Sequence, residues 1–264
     1  MLPPCPGIRI LYSKGKLPEL KSPYLICGFP GSGYVGKMAV DHLIEELHAE
    51  HLADIYSTSF PPQVLIRSDG TADLMKNTIF YSDKPNSSGT NLLLLTGDSQ
   101  PANPDSEYML AEEILNIAVK FNTSHIFTLA AYITGVFVEK PRIFGTATDT
   151  DTIKSFSERS ISVMDGGSIT GMNGLIIGSA KLRGIRGTCL LGETSGYVVD
   201  AKASKSILET LLSIIGIGID MKNLDKRAKD TETLIETIEQ QMSGRTARQQ
   251  TSVATRPSDM GYIS

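Results

Sequence analysis

The chain has 264 residues, 41% hydrophobic and 20% charged, with 25 Lys+Arg against 29 Asp+Glu. Such a composition is too apolar for a disordered chain and too poor in charge for a coiled-coil rod. The formal net charge of −4 lacks the basic excess that phosphate neutralisation demands, so nucleic acid is not expected as a partner.

Cys5, Cys27 and Cys189 are sparse and far apart, which argues against a disulfide framework, and no CxxC spacing announces zinc. The opening stretch, MLPPCPGIRILYSKGK, holds no long apolar run, so no secretory leader is expected. The densest apolar stretch, 206–219, carries Glu209 and is broken by Gly216 and Gly218. It falls short of the ~20 apolar residues of a membrane span. A soluble, cytoplasmic protein with no membrane partner is expected.

Along the chain, Pro23–Cys27 reads as a buried strand stopped by Gly28. From Val35, the residues Val35, Ala39, Leu43 and Leu47 recur at helical spacing. Short strands are predicted at Asp54–Phe60, Gln63–Arg67 and Leu74–Ser82, punctuated by Pro61-Pro62, Asp69-Gly70 and Lys84-Pro85-Asn86. In 91–98, four consecutive leucines predict a strand buried on both faces, as in parallel sheets. A helix follows at Glu107–Phe121, then strands at His125–Leu129 and Ile143–Thr148. Asp149 or Asp151 caps a short helix toward Ser157, and Ile161–Met164 is a weak strand. Helices are predicted at Leu175–Leu182 and Lys202–Ile215, with a buried strand at Gly187–Gly192 between them. This strand–helix alternation over 5–219 predicts one three-layer α/β domain.

The remainder of the chain differs. Leu224, Ala228, Thr231, Ile235, Ile238 and Met242 step by four and three in a charged helical stretch, which is a heptad seam. After Gly244 the composition turns to Arg, Gln, Ser and Thr without an apolar period, which predicts a disordered tail. Three units follow: an α/β domain over 1–219, an amphipathic helix over 220–243 and a tail over 244–264. The helix either lies on its own domain or joins copies in an oligomer.

The loudest motif is GFPGSGYVGKM, from Gly28 to Met38, with GxGxxG at Gly31, Gly33 and Gly36 followed by Lys37. A glycine-rich turn from strand to helix presents backbone N–H groups to anions. Here Met38 stands where a phosphate loop needs Ser or Thr for Mg²⁺, and no acidic residue ends the next strand to hold a ribose. The loop is either a nucleotide or nucleoside cradle, with Glu193 at a strand end as a pocket residue, or a tight structural turn. Asp98 reads as a metal-facing or capping residue, and His48 and His51 at i, i+3 read as a solvated helix end. Cys27 and Cys189 fall on buried strands, where a thiol is a small hydrophobe. No motif assembles a nucleophile, a base and an oxyanion stabiliser.

A set of segments carries more weight together: GFPGSGYVGKMAVDHLIEEL (28–47), SFPPQVLIRSDG (59–70), NLLLLTGDSQP (91–101), TLAAYITG (128–135), PRIFGTATD (141–149), the long stretch ITGMNG…SILETL (169–211) and IDMKNLD (219–225). In content and order they resemble the archaeal branch of the proteasome-assembly-chaperone family. The resemblance implies an α/β fold like that of nucleoside phosphorylases and self-assembly into homo-oligomers. It also implies a chaperone or adaptor role toward proteasome α-subunits or a related family member. It implies neither catalytic residues nor a cofactor, and it makes the loop over 28–36 a signature of the fold. Some archaeal members engage the proteasome through a C-terminal hydrophobic–Tyr–any tripeptide. The present chain ends Tyr262-Ile263-Ser264, with Tyr262 third from last. These three residues are the expected docking peptide, and the heptad positions are the expected oligomer seam.

Overall fold

Four leucines set the middle of the molecule. In the computed structural model, which describes residues 7–13, 15–83, 89, 91–231 and 233, Leu92–Gly97 forms strand β7. Successive side chains of a strand point to opposite faces. Leu93 and Leu95 therefore enter one core and Leu92 and Leu94 the other, and all four are at most 2% exposed. Strand β2 (Tyr24–Gly28) does the same, with Leu25 and Cys27 on one side and Ile26 on the other.

The strands before and after these are β1 (Ile8–Tyr12), β3 (Glu50–Ser57), β6 (Asn77–Ser82), β8 (His125–Ile133), β9 (Ile143–Ala147), β10 (Ile161–Val163) and β11 (Arg186–Thr194). Among the described residues they join β2 and β7 in one nine-stranded sheet, ordered β1-β3-β6-β7-β2-β8-β11-β9-β10. The centre, β7-β2-β8-β11, is parallel. Antiparallel pairing adds β6, β3 and β1 on one flank and β9 on the other, and β10 runs parallel to β9. A separate hairpin pairs β4 (Val64–Ile66) with β5 (Ala72–Leu74).

Parallel pairing requires crossovers, and helices supply them. Helices α1 (Val35–Leu47) and α5 (Ala201–Ile215) cover one face, with Leu43, Ile207, Leu208 and Leu211 fully buried. Helices α2 (Pro104–Lys120) and α4 (Gly171–Leu182) cover the other, with Ile114, Leu115, Met172 and Ile176 buried. The short α3 (Thr150–Lys154) is capped by Asp149, whose side chain accepts from the Thr152 N–H at 2.8 Å. The result is the three-layer α/β arrangement that the strand–helix alternation predicts, with a mixed sheet.

Several boundaries differ from expectation. Strand β1 is not apparent in the sequence pattern. Strand β3 starts at Glu50, four residues early, because His48 ends α1 in a left-handed conformation (φ 49°). His48 and His51 thus lie on different elements, and His51 shares hydrogen bonds with Ser13 (2.8 Å) and Asp54 (3.0 Å). The stretch 74–82 is divided between two sheets. Helix α4 begins at Gly171, before its apolar positions, and β8 runs on to Ile133.

Beyond α5 the chain turns back, and residues 222–231 are helical. Leu224 is fully buried in the same core as α1 and α5, Lys205 pairs with Asp225, and the Thr231 hydroxyl donates to the Val199 carbonyl at 3.4 Å. The first seam position is therefore spent on the chain's own domain, while Ala228 and Thr231 are half-buried. Ile235, Ile238, Met242 and the tail ending Tyr262-Ile263-Ser264 lie outside the described residues, as does Cys5. No helix among the described residues is long and apolar enough to cross a membrane.

Candidate functional site

Strands β2, β7, β8 and β11 end on one side of the sheet, where open α/β folds gather their functional loops. The glycine-rich loop leaves β2 there. It is built around close approach. A Cβ on Gly36 would sit 1.9 Å from the Leu129 carbonyl oxygen of β8, and one on Gly28 would sit 2.2 Å from the Gly36 carbonyl oxygen. Only glycine lets the first turn of α1 lie on the sheet at that distance. Gly33 adopts φ +63°, a left-handed conformation that suits glycine, and its carbonyl accepts from the Asp200 N–H at 2.8 Å. Gly31 is extended.

Asp200 is a hub. Its carboxylate accepts from the Thr194 hydroxyl at 2.7 Å and from the Ala203 N–H at 2.9 Å, so one side chain caps α5 and binds the end of β11 to the Gly33 turn. Gln100 does similar work on the other side. Its amide donates to the Pro30 carbonyl at 2.7 Å, and its oxygen accepts from the Met172 N–H at 3.0 Å.

Lys37 does not face the loop's N–H groups. Its ammonium pairs with Asp41 at 3.0 Å and donates to the Thr96 hydroxyl at 3.2 Å, while that hydroxyl donates to Asp41 at 2.5 Å. Glu193 is buried and fully engaged. Arg142 donates to it from Nε (2.9 Å), Nη2 (2.8 Å) and its own backbone N–H (3.2 Å). The guanidinium beside it and these hydrogen bonds hold the Glu193 carboxyl below its ordinary range. Arg142 also lies over the Phe144 ring, 5.2 Å from its centre, and Phe144 stacks on Tyr132 at 3.9 Å.

A cavity of about 700 Å³ opens beside Gly31 and Ser32, with Ala130, Tyr132, Asn173 and Leu191 among its walls. Lys37, Gly33, Gly36 and Glu193 are not among its lining residues. The structure therefore brings Gly31 to the cavity and sends Lys37 and Glu193 to separate ion pairs. Asp98 accepts from the Lys76 N–H at 3.1 Å, a bond back to the start of β6, while Asn103 caps α2. Burial raises the Cys27 and Cys189 thiols, the latter to about 12, away from the reactive thiolate. Among the described residues no group of three histidines, cysteines or acids is placed to hold a metal.

The model of the PAC2 family matches residues 25–239, which span every element from β2 onward and the helical turns after α5. The chain belongs to the PAC2 family. A Methanocaldococcus jannaschii protein of uncharacterized function is 36% identical over 88% of this chain and 89% of its own. The crystal structure of Pyrococcus furiosus PbaB, described as an archaeal proteasome activator, superposes with a TM-score of 0.82 at 38% identity. That match covers 88% of this chain and 99% of PbaB. Pyrococcus furiosus PbaA, described as an archaeal homolog of proteasome-assembly chaperone, gives 0.73 at 25% identity over 95% of this chain and 100% of its own.

Three residues that organise this PAC2 site escape the sequence reading: Asp200, Arg142 and Gln100. Asp200 had a local signal, since an Asp three residues before the helical Ala203 is an N-cap pattern. The other two bind partners 51 and 70 residues away, which no local pattern reveals.

Proposed function

We propose that this PAC2 chain is a non-catalytic, oligomeric chaperone or adaptor that binds proteasome α-subunits, either during assembly or by docking on the assembled ring. The observation that carries the reading is the likeness to PbaB over nearly the whole of both chains. The geometry of the glycine loop agrees with it, because Gly28, Gly33 and Gly36 serve packing and Lys37 is occupied by Asp41. The reading places the protein in the cytoplasm.

Capture of proteasome α-subunits by the full chain tests it. Recovery of α-subunits on the immobilised chain supports the reading, and no recovery at micromolar concentrations refutes it. Within the same reading, Tyr262-Ile263-Ser264 is the docking peptide, carried on a tail where Arg245, Arg248 and Arg256 face only Asp259. A carboxylate-bearing chain end suits capture by a basic pocket. Deleting residues 261–264 then weakens α-subunit capture, and equal capture assigns the contact to the folded body.

The cavity beside Gly31 favours a second reading, a nucleotide- or nucleoside-binding protein. Calorimetric titration with ATP, GTP and nucleosides separates the two, since micromolar binding weakened by Asn173→Ala in the cavity wall supports only the second.

A further inference from the structure

Another cavity, of about 630 Å³, opens at the far flank of the sheet, between the ends of β1 and β3 and the β4–β5 hairpin. The sheet supplies its polar side. Arg9 and Tyr56 are partners in the β1–β3 register, which puts both side chains on one face of the sheet, and both line the cavity. Among the described residues neither the Arg9 guanidinium nor the Tyr56 hydroxyl has a hydrogen-bond or ion-pair partner. The nearby Lys76 is already held by Asp54 at 2.8 Å, and no Asp or Glu is among the described lining residues.

The remaining walls are apolar. Phe60, Pro61 and Pro62 come from the turn after β3, and Val64 and Leu74 from the hairpin. Val64 and Leu74 are register partners and are 51% and 62% exposed. The hairpin thus holds two large apolar side chains at an opening instead of packing them away.

A free guanidinium beside a free hydroxyl, with no carboxylate to compete, suits a single anionic head. The apolar walls suit a hydrocarbon body, and the volume lies within the roughly 300–1,000 Å³ of small-molecule sites. A peptide would also bring backbone N–H and C=O groups, which need partners once buried. This wall has few to give. The Thr58 N–H donates to the Gly7 carbonyl at 2.9 Å, the Phe60 N–H to the Ser57 carbonyl at 3.2 Å and the Gln63 N–H to the Pro61 carbonyl at 2.8 Å. Pro61 and Pro62 have no N–H at all.

We propose that this cavity binds a small carboxylate with an apolar body, of the kind a medium-chain fatty acid represents. Its head sits on Arg9 and Tyr56 and its body lies against Phe60, Pro61, Val64 and Leu74. The site shares no lining residue with the cavity beside Gly31, and it is independent of the proteasome reading.

Calorimetric titration of the full chain with octanoate tests the proposal, with octanol as the uncharged match and octylamine as the cationic one. Octanoate should saturate at one per chain with a sub-millimolar Kd, as about ten non-hydrogen atoms allow. Octanol should bind roughly tenfold more weakly, for want of the charge-assisted hydrogen bonds, and octylamine more weakly still. Arg9→Met should lower octanoate affinity to that of octanol and leave octanol unchanged. Val64→Asp with Leu74→Asp should remove binding of both. All three side chains are exposed, so circular dichroism of these variants should match the wild type. No saturable octanoate binding up to about 5 mM, equal affinity for octanoate and octanol, or unchanged octanoate affinity in Arg9→Met overturns the proposal. Tighter binding of a short peptide with an apolar C-terminus than of octanoate gives the cavity to a chain end and overturns the small-molecule assignment.

Discussion

His125 opens β8 and is 7% exposed, stacked on Phe127 at 4.4 Å and sharing a 2.8 Å hydrogen bond with Thr188. Burial, with the nearby Arg186 charge, pulls its pKa from 6.5 down to about 4, against a smaller opposing pull from Asp149. In the unfolded chain the ring protonates near its ordinary value. Between those two values the unfolded state holds a proton that the folded state refuses, so stability falls as pH falls. The contribution is whole above about pH 6.5 and is lost progressively toward pH 4, for a total of about 3 kcal/mol. From pH 7 to pH 5 the loss is about 2 kcal/mol, a window above the ordinary carboxylate range. Urea denaturation of the wild-type chain and of His125→Gln at both pH values measures it. The amide can still hydrogen-bond Thr188 but carries no titrating proton. The wild type should lose about 2 kcal/mol more than the variant between pH 7 and pH 5. Equal losses in the two chains would refute the claim that this ring is kept neutral by burial.

Gly36→Ala should cost several kcal/mol or prevent folding, since the new methyl meets backbone at 1.9 Å. Gly178→Ala, in a helix with nothing within 4 Å, should instead raise the melting temperature slightly. Arg142→Met should destabilise the fold by removing both guanidinium hydrogen bonds from the buried Glu193 carboxylate. Adding Glu193→Met should recover most of that in chemical denaturation, and no recovery would show that the pair does not explain the loss. Lys37→Ala should cost about 0.5 kcal/mol, the scale of a half-exposed helical ion pair, and leave α-subunit capture unchanged in a pull-down.

What the sequence revealed was whatever repeats locally. The alternation of Leu92 to Leu95 between two cores followed from an unbroken apolar run, and α1, α2 and α5 from helical spacing. Strand β1 stayed hidden because its signal is short and its outward residues, Arg9 and Leu11, are both exposed. Helix α4 was read too short because Gly171 and Gly174 have poor helix propensity, although tertiary packing imposes the helix from Gly171. At the site, the spacing of Gly31, Gly33 and Gly36 located the turn. Its purpose depended on Leu129 and Asp200, which reach it only through the sheet order. Lys37 reads in sequence as the end of the glycine loop; its pairing with Asp41 one helical turn on is a local pattern, whereas the Thr96 hydroxyl that joins them is 59 residues away.

The order of the sheet also governs how the chain can be made. Strand β11 is synthesised after β9 and β10, yet it lies between β8 and β9. Until Thr194 has been added, β8 and β9 have no bridging strand between them, and each presents an unpaired edge. The missing strand contains Cys189, Leu190 and Leu191, all at most 4% exposed once in place, so the gap awaiting it is apolar. Exposed, apolar strand edges are templates for pairing with other chains, and contacts this distant in sequence form slowly. On the ribosome the protein therefore passes through an aggregation-prone interval in which the strands already made wait on one late strand, the one that carries Glu193.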